Sequence, residues 1–144
     1  MARAPLLQLT DSSLPFGGNP LFSDLSLVLQ HGDRVALVGR NGSGKSTLMN
    51  VMAGLTEPDA GAVVTSPGTT VGYMAQDPDM SGHATLGAFA ADGLDPEEAW
   101  RVEAAAEGLK VDLGQDPATA SGGECRRAAL AQLMARAPDL MLLD

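Results

Sequence analysis

The chemistry of this sequence concentrates at Gly39, Arg40, Asn41, Gly42, Ser43, Gly44, Lys45 and Ser46, with Thr47 beside them. The spacing is G-x-x-x-x-G-K-[ST], and Lys45 is one of only two lysines in 144 residues. Glycines let successive backbone N–H groups turn inward and come close to phosphate oxygens. A helix starting after Gly44 would point its positive dipole end at the same charge. Lys45 then reaches the β and γ phosphates, and the Ser46 hydroxyl ligates Mg²⁺. A chance Gly-rich turn is the plain alternative. The context argues against it: an apolar run precedes the motif and a helical pattern follows it. The segment is therefore expected to hold a nucleoside triphosphate.

A second chemical feature lies far downstream. "DLMLLD" sets Asp144 at the end of an apolar run. Many strands end in Asp, so alone this says little. With the phosphate cradle upstream it reads as a Walker B acid, the residue that holds Mg²⁺ in P-loop NTPases.

These residues need elements to place them. "LLQLT" (6–10) and "LFSDLSLVLQ" (21–30) read as strands around a turn at "PFGGNP". "RVALVG" (34–39) is apolar without alternation, as expected of a strand buried on both faces of a parallel sheet. A helix is expected from Lys45 to about Ala53, ending near Gly54. "GAVVTS" and "TTVGYMA" read as two short strands around Pro67-Gly68. Residues 84–91 look helical. In 95–109, Asp95 caps, Pro96 takes the first helical position, and Ala99, Val102, Ala106 and Leu109 form the apolar stripe. A further helix starts at Ser121 and runs to the residues before Pro138. "LMLL" (140–143) reads as another short buried strand.

Composition bounds the rest. The apolar fraction is 44% and aromatics are 3%, so the core must come from Leu, Val, Ala and Met. The net charge is −9. Residues 1–56 carry four basic and three acidic side chains, whereas 77–116 carry ten acidic and two basic, net −8. An acidic face repels phosphate backbones, so that region is a poor direct contact for nucleic acid. The single cysteine, Cys125, excludes an intrachain disulfide and fits a reducing cytosol. The N-terminus lacks the pattern of a signal peptide, and no window is long and apolar enough to span a membrane.

Two more motifs narrow the class. Gln76 stands in "VGYMAQDP", and Ser121, Gly122, Gly123 and Glu124 form "SGGE" at a helix start. Isolated, SGGE is equally a helix cap and Gln76 a solvated loop residue. The order cradle, Gln, SGGE helix, Walker B resembles that of the ATP-binding cassette (ABC) ATPases over essentially the whole chain. The resemblance implies an α/β P-loop core with a small antiparallel β part and a helical subdomain. Residues 1–76 with 138–144 would form the nucleotide-binding core, and 77–137 the helical part.

The resemblance also implies roles. Gly39, Asn41, Gly42, Ser43, Gly44, Lys45, Ser46 and Thr47 would bind ATP. Ser46, Gln76 and Asp144 would serve Mg²⁺, with Lys45, Gln76 and Asp144 contributing to catalysis. Ser121, Gly122 and Gly123 would contact the γ-phosphate held by a second cassette. Phe16 matches the aromatic that stacks on adenine, although it could equally be core. Only fifteen positions separate Gly61 from Gln76. That short interval, with "GRNGSGKSTL" and "SGGECRRAALA", resembles the ABC-F subfamily of soluble tandem-cassette ATPases, which act on ribosomes or nucleic acid complexes. A cytoplasmic protein follows from that likeness. The runner-up is the ATP-binding subunit of a membrane transporter.

The pattern departs from the family in places. Ala120 stands where Leu usually precedes the serine, and Cys125 where a polar or basic residue is common. Arg126 and Arg127 match a basic pair. His31 and His83 precede Asp144, so neither matches the family's switch histidine. The family's catalytic glutamate directly follows the Walker B acid. The expectation is therefore a cassette truncated at Asp144 that binds nucleotide without sustained hydrolysis.

Overall fold

The computed structural model describes the backbone of residues 4–16, 19–40 and 43–144. It consists of two compact units, one running to Val71 and including Asp144, the other Gly72–Leu143. The division differs from the expected one at both joints. The first boundary falls five residues earlier (71 against 76), and residues 138–143 lie with the second unit.

The first unit is built on an antiparallel sheet. Strand β1 (Leu7–Phe16) pairs with β2 (Asn19–Leu29) on one edge and with β3 (Ala60–Thr65) on the other. Both hairpin strands run further toward the turn than the sequence suggests. The register shifts near Asp11 and Asp24, two non-glycine residues with positive φ. Bulges of this kind free backbone groups that must find other partners. Here Asp11 N–H donates to Ser26 Oγ at 3.1 Å and Asp24 N–H to Ser13 Oγ at 3.1 Å. Leu7, Leu9 and Leu29 bury one face of the sheet, and Leu48, Val51 and Met52 are the buried positions of helix α1 (Lys45–Met52).

One expectation fails in this unit. Residues 34–39 form no strand, and Val35 and Val38 are exposed, Val38 to 94%. A strand buried on both faces needs hydrogen-bonded neighbours at both edges. Among the described residues, no strand pairs with this run. Strands β3 and β4 (Val71–Met74) do exist on either side of Pro67-Gly68 but do not pair with each other. β3 joins β1, and β4 joins β5 (Leu140–Leu143).

The second unit carries three helices, α2 (Leu86–Ala91), α3 (Ala99–Leu109) and α4 (Gly122–Arg136). Its core is rich in alanine, as the shortage of aromatics requires. Ala90, Val102 and Ala135 bury together, with Ala91, Leu94 and Leu113 packed against them. Small side chains let the helices approach closely. Side chains of α4 also complete the end of α2: Gln132 Nε2 donates to the Phe89 carbonyl at 2.7 Å and Arg136 to the Asp92 carbonyl at 2.6 Å. The Phe89 carbonyl already accepts the Asp92 N–H at 3.2 Å, and α4 adds a second donor to it and one to the Asp92 carbonyl. Strand β5 is only half buried: Leu142 is inside, while Met141 and Leu143 face out. Alternation replaces the fully buried strand expected there.

Candidate functional site

The first unit brings Lys45, Ser46 and Asp144 together at the start of α1. The turn into the helix depends on glycine at Gly44, whose φ of 94° lies in the left-handed region that a side chain disfavours. At Gly39 an added Cβ would stand 2.6 Å from Ser43 Oγ, so that hydroxyl would have to turn away. Ser43 N–H donates to the Arg40 carbonyl at 3.0 Å, and Lys45 Nζ donates to the Gly39 carbonyl. Leu48 N–H to Gly44 at 2.9 Å is the first bond of α1. No side chain caps this helix end, so the N–H groups of its first turn are left for a ligand.

Across from that turn, Ser46 Oγ donates to Asp144 Oδ1 at 3.0 Å, joining residues 98 positions apart. A hydroxyl and a carboxylate oxygen are hard donors of the kind Mg²⁺ takes, with phosphate and water completing its shell. Among the described residues no group of three His, Cys, Asp or Glu could hold a metal by itself. The donor set suits a metal that arrives with a phosphate. Thr47 lies in the same first turn. Asn41 and Gly42 lie outside the described residues. Phe16 ends β1, and its side chain lies outside the description as well.

The second unit holds the other candidates. Gln76 follows β4, and its carbonyl accepts from Arg126 Nε at 2.9 Å. The Arg126 guanidinium also reaches Asp77 Oδ1 at 3.4 Å, but both side chains are largely exposed and such a pair contributes little. The sequence left Arg126 as either an interface residue or a solvated one. The structure ties it to the backbone of Gln76, and nothing in the residue spacing announces that.

Ser121 caps α4 through a full capping box: Glu124 N–H donates to Ser121 Oγ at 3.2 Å, and Ser121 N–H to Glu124 Oε2 at 2.7 Å. The Ser121 N–H, joined by the Gln115 amide, holds the Glu124 carboxyl below its ordinary range. Gly122 and Gly123 follow the cap with no crowding atom near either. The SGGE segment is therefore a helix cap in geometry, and one that leaves glycine backbone open.

A family model described as "ABC transporter" matches residues 22–144. The chain belongs to the ABC transporter family. It is similar to the ATP-binding protein Uup of Caulobacter vibrioides, 43% identical over 99% of this chain and 23% of that protein. It is also similar to the Fe(3+) ions import ATP-binding protein FbpC 3 of Rhodococcus jostii, 39% identical over 90% of this chain and 42% of that protein. Among solved structures, an ATP-binding subunit of an ABC transporter superposes with a TM-score of 0.82 at 27% identity, over 96% of this chain and 65% of the other. The chain thus spans less than half the length of the two sequence relatives. Its α/β fold is that of an ABC ATP-binding domain, and full-length members of the family hydrolyse ATP. No helix among the described residues is long and apolar enough to cross a membrane.

Proposed function

We propose that this ABC domain is one ATP-binding cassette of an ABC-F type ATPase that acts on ribosomes or other nucleic acid complexes. The observation that carries ATP binding is the Ser46–Asp144 pair at 3.0 Å beside Lys45 and an uncapped helix end. The backbone of Gly39–Ser46 and the Lys45 ammonium would hold the β and γ phosphates. Ser46 and Asp144 would hold Mg²⁺, which offsets phosphate charge when bound. Gln76 would orient water near the metal. Ser121, Gly122 and Gly123 would face the γ-phosphate on a second cassette, in the same protein or a partner. The short interval from Gly61 to Gln76 and the 43% identity to an ATP-binding protein support the ABC-F branch. Contacts with RNA would come from outside the acidic segment 77–116.

The similarity to an Fe(3+) import protein favours a second reading, the ATP-binding subunit of a membrane transporter. Co-sedimentation with ribosomes separates the two. The parent protein should pellet with ribosomes when ATP is present and hydrolysis is blocked, and Lys45→Ala should release it. Co-purification with a membrane permease, without ribosome association, would overturn the ABC-F reading. Calorimetry tests the binding itself: Mg·ATP should bind the chain and bind Lys45→Ala far more weakly.

A further inference from the structure

We propose that Gln115 is a positioning residue for the Ser121–Gly123 turn, acting through Glu124 to fix the start of α4. The inference rests on the reading of that turn as a phosphate contact. Glu124 is an awkward residue there, because a carboxylate in the first turn competes with a phosphate for the positive helix end. Its Oε2 is engaged by two donors, the Ser121 N–H at 2.7 Å and Gln115 Nε2 at 3.2 Å. With the Ser121 N–H and Glu124 N–H both used inside the box, the N–H groups of Gly122 and Gly123 have no partner among the described residues. The glycine backbone is uncrowded on its Cα side: no atom lies within 4 Å of a Cβ built on Gly122, and only Ser121 Oγ, at 3.9 Å, near one on Gly123. Two free N–H groups in that setting are what a phosphate oxygen needs.

Gln115 is itself held before it meets Glu124. Its carbonyl accepts the Leu86 N–H at 2.9 Å, and the Leu113 carbonyl accepts the Gly87 N–H at 2.8 Å. Asp112 closes the turn from the other side, accepting Gly114 N–H on Oδ1 at 3.0 Å and Gln115 N–H on its carbonyl at 3.2 Å. A Cβ at Gly87 would stand 2.7 Å from the Leu113 carbonyl oxygen, so this approach needs glycine. The start of α2 therefore pins the 112–115 turn, and the turn delivers an uncharged donor to the carboxylate. The lowered range of the Glu124 carboxyl, caused first by the Ser121 backbone and then by Gln115, agrees with this geometry.

The test uses the full chain with Gln115→Met, which keeps length and removes the donor, and Gly87→Ala, which displaces the turn. Carbon-detected NMR titration of the Glu124 carboxyl should show its midpoint rising in both. Sedimentation with Mg·ATP should show ATP-dependent pairing of two copies weakened several-fold, with ATP affinity unchanged. Ser121→Arg, which fills the turn, should abolish pairing. An unmoved Glu124 midpoint overturns the proposal. So does a moved midpoint with unchanged pairing when Ser121→Arg abolishes it. If the native chain does not pair, or Ser121→Arg has no effect on pairing, the phosphate-contact reading of the turn falls. The titration then decides the Gln115 proposal alone.

Discussion

Gly72→Ala should destabilise the second unit by an amount the structure sets. Gly72 lies in β4, and a Cβ built on it stands 2.3 Å from Leu133 Cδ1 and 2.8 Å from Pro138 Cγ, where ordinary contact begins near 3.4 Å. Leu133 is buried in α4 and has little room to swing, and the Pro138 ring cannot bend away. Overpacking of this kind costs about 1–3 kcal/mol. At ~4–8 °C per kcal/mol for a small unit, the melting temperature should fall by roughly 5–20 °C. The partner substitution checks the cause. Leu133→Ala alone leaves a cavity and costs about 2–5 kcal/mol. In the Gly72→Ala background that cavity receives the new methyl group. The double variant should therefore be more stable than the sum of the singles by at least ~1 kcal/mol. Thermal and urea melts of the wild type, both singles and the double measure this coupling. Additive losses would refute the contact as the source of the cost.

Ser46→Ala and Asp144→Asn should each remove the Mg²⁺ dependence of ATP binding, read by calorimetry with Mg²⁺ or with EDTA, and the double variant should be no worse than the weaker single. Ser121→Ala removes the side-chain half of the capping box and should cost about 1 kcal/mol in chemical denaturation. Glu124 is held below its ordinary range when folded, so its stabilisation is present above the unfolded value and lost as pH falls through the folded one. Acid melts should accordingly show less loss of stability below the ordinary glutamate range in Glu124→Gln than in the wild type. Ala137 ends α4 with φ 47°, and Ala137→Gly should raise stability by up to ~1 kcal/mol, since left-handed strain exceeds the added chain entropy of glycine.

The helices were legible because their signals are local. Thr85, Asp95 and Ser121 each accept from a backbone N–H two or three residues on, as their side chains are built to do. The start of α1 was legible for the same reason: Gly44, Lys45 and Ser46 are adjacent, and the helix begins where the spacing predicts. Pairing was not legible, because the partner of a strand is not written within it. β3 and β4 flank one turn yet join different neighbours, and "RVALVG" has the composition of a buried strand but, among the described residues, no strand paired with it. The contacts of Arg126 and Gln115 were not legible, since Arg126 meets a backbone carbonyl 50 positions away and Gln115 a carboxylate nine positions on, and no spacing rule links either pair. What gives them meaning is a carbonyl at Gln76 and a carboxylate at Glu124.

The helix ends of this chain differ in how they are closed. Thr85 closes α2 with a side chain. Asp95 caps the 3₁₀ turn at Pro96–Glu98, and that turn supplies a carbonyl to the start of α3. Asp116 caps the 3₁₀ turn at Pro117–Thr119 that leads into the SGGE segment. These ends spend their donors on the protein. Helix α1 differs: Gly44 cannot cap, and its first turn contains no acid. An open helix end wastes donors that a Ser or Asp at that position would satisfy, worth about 1 kcal/mol. Glycine there makes sense if an anion completes the turn, with Lys45 and Ser46 beside it. Helix α4 is intermediate, capped by Ser121 and Glu124 yet leaving two glycine N–H groups free. On this logic, replacing Gly44 with a capping residue should stabilise nothing: its φ of 94° would strain any side chain, and the cap would occupy the place of the phosphate.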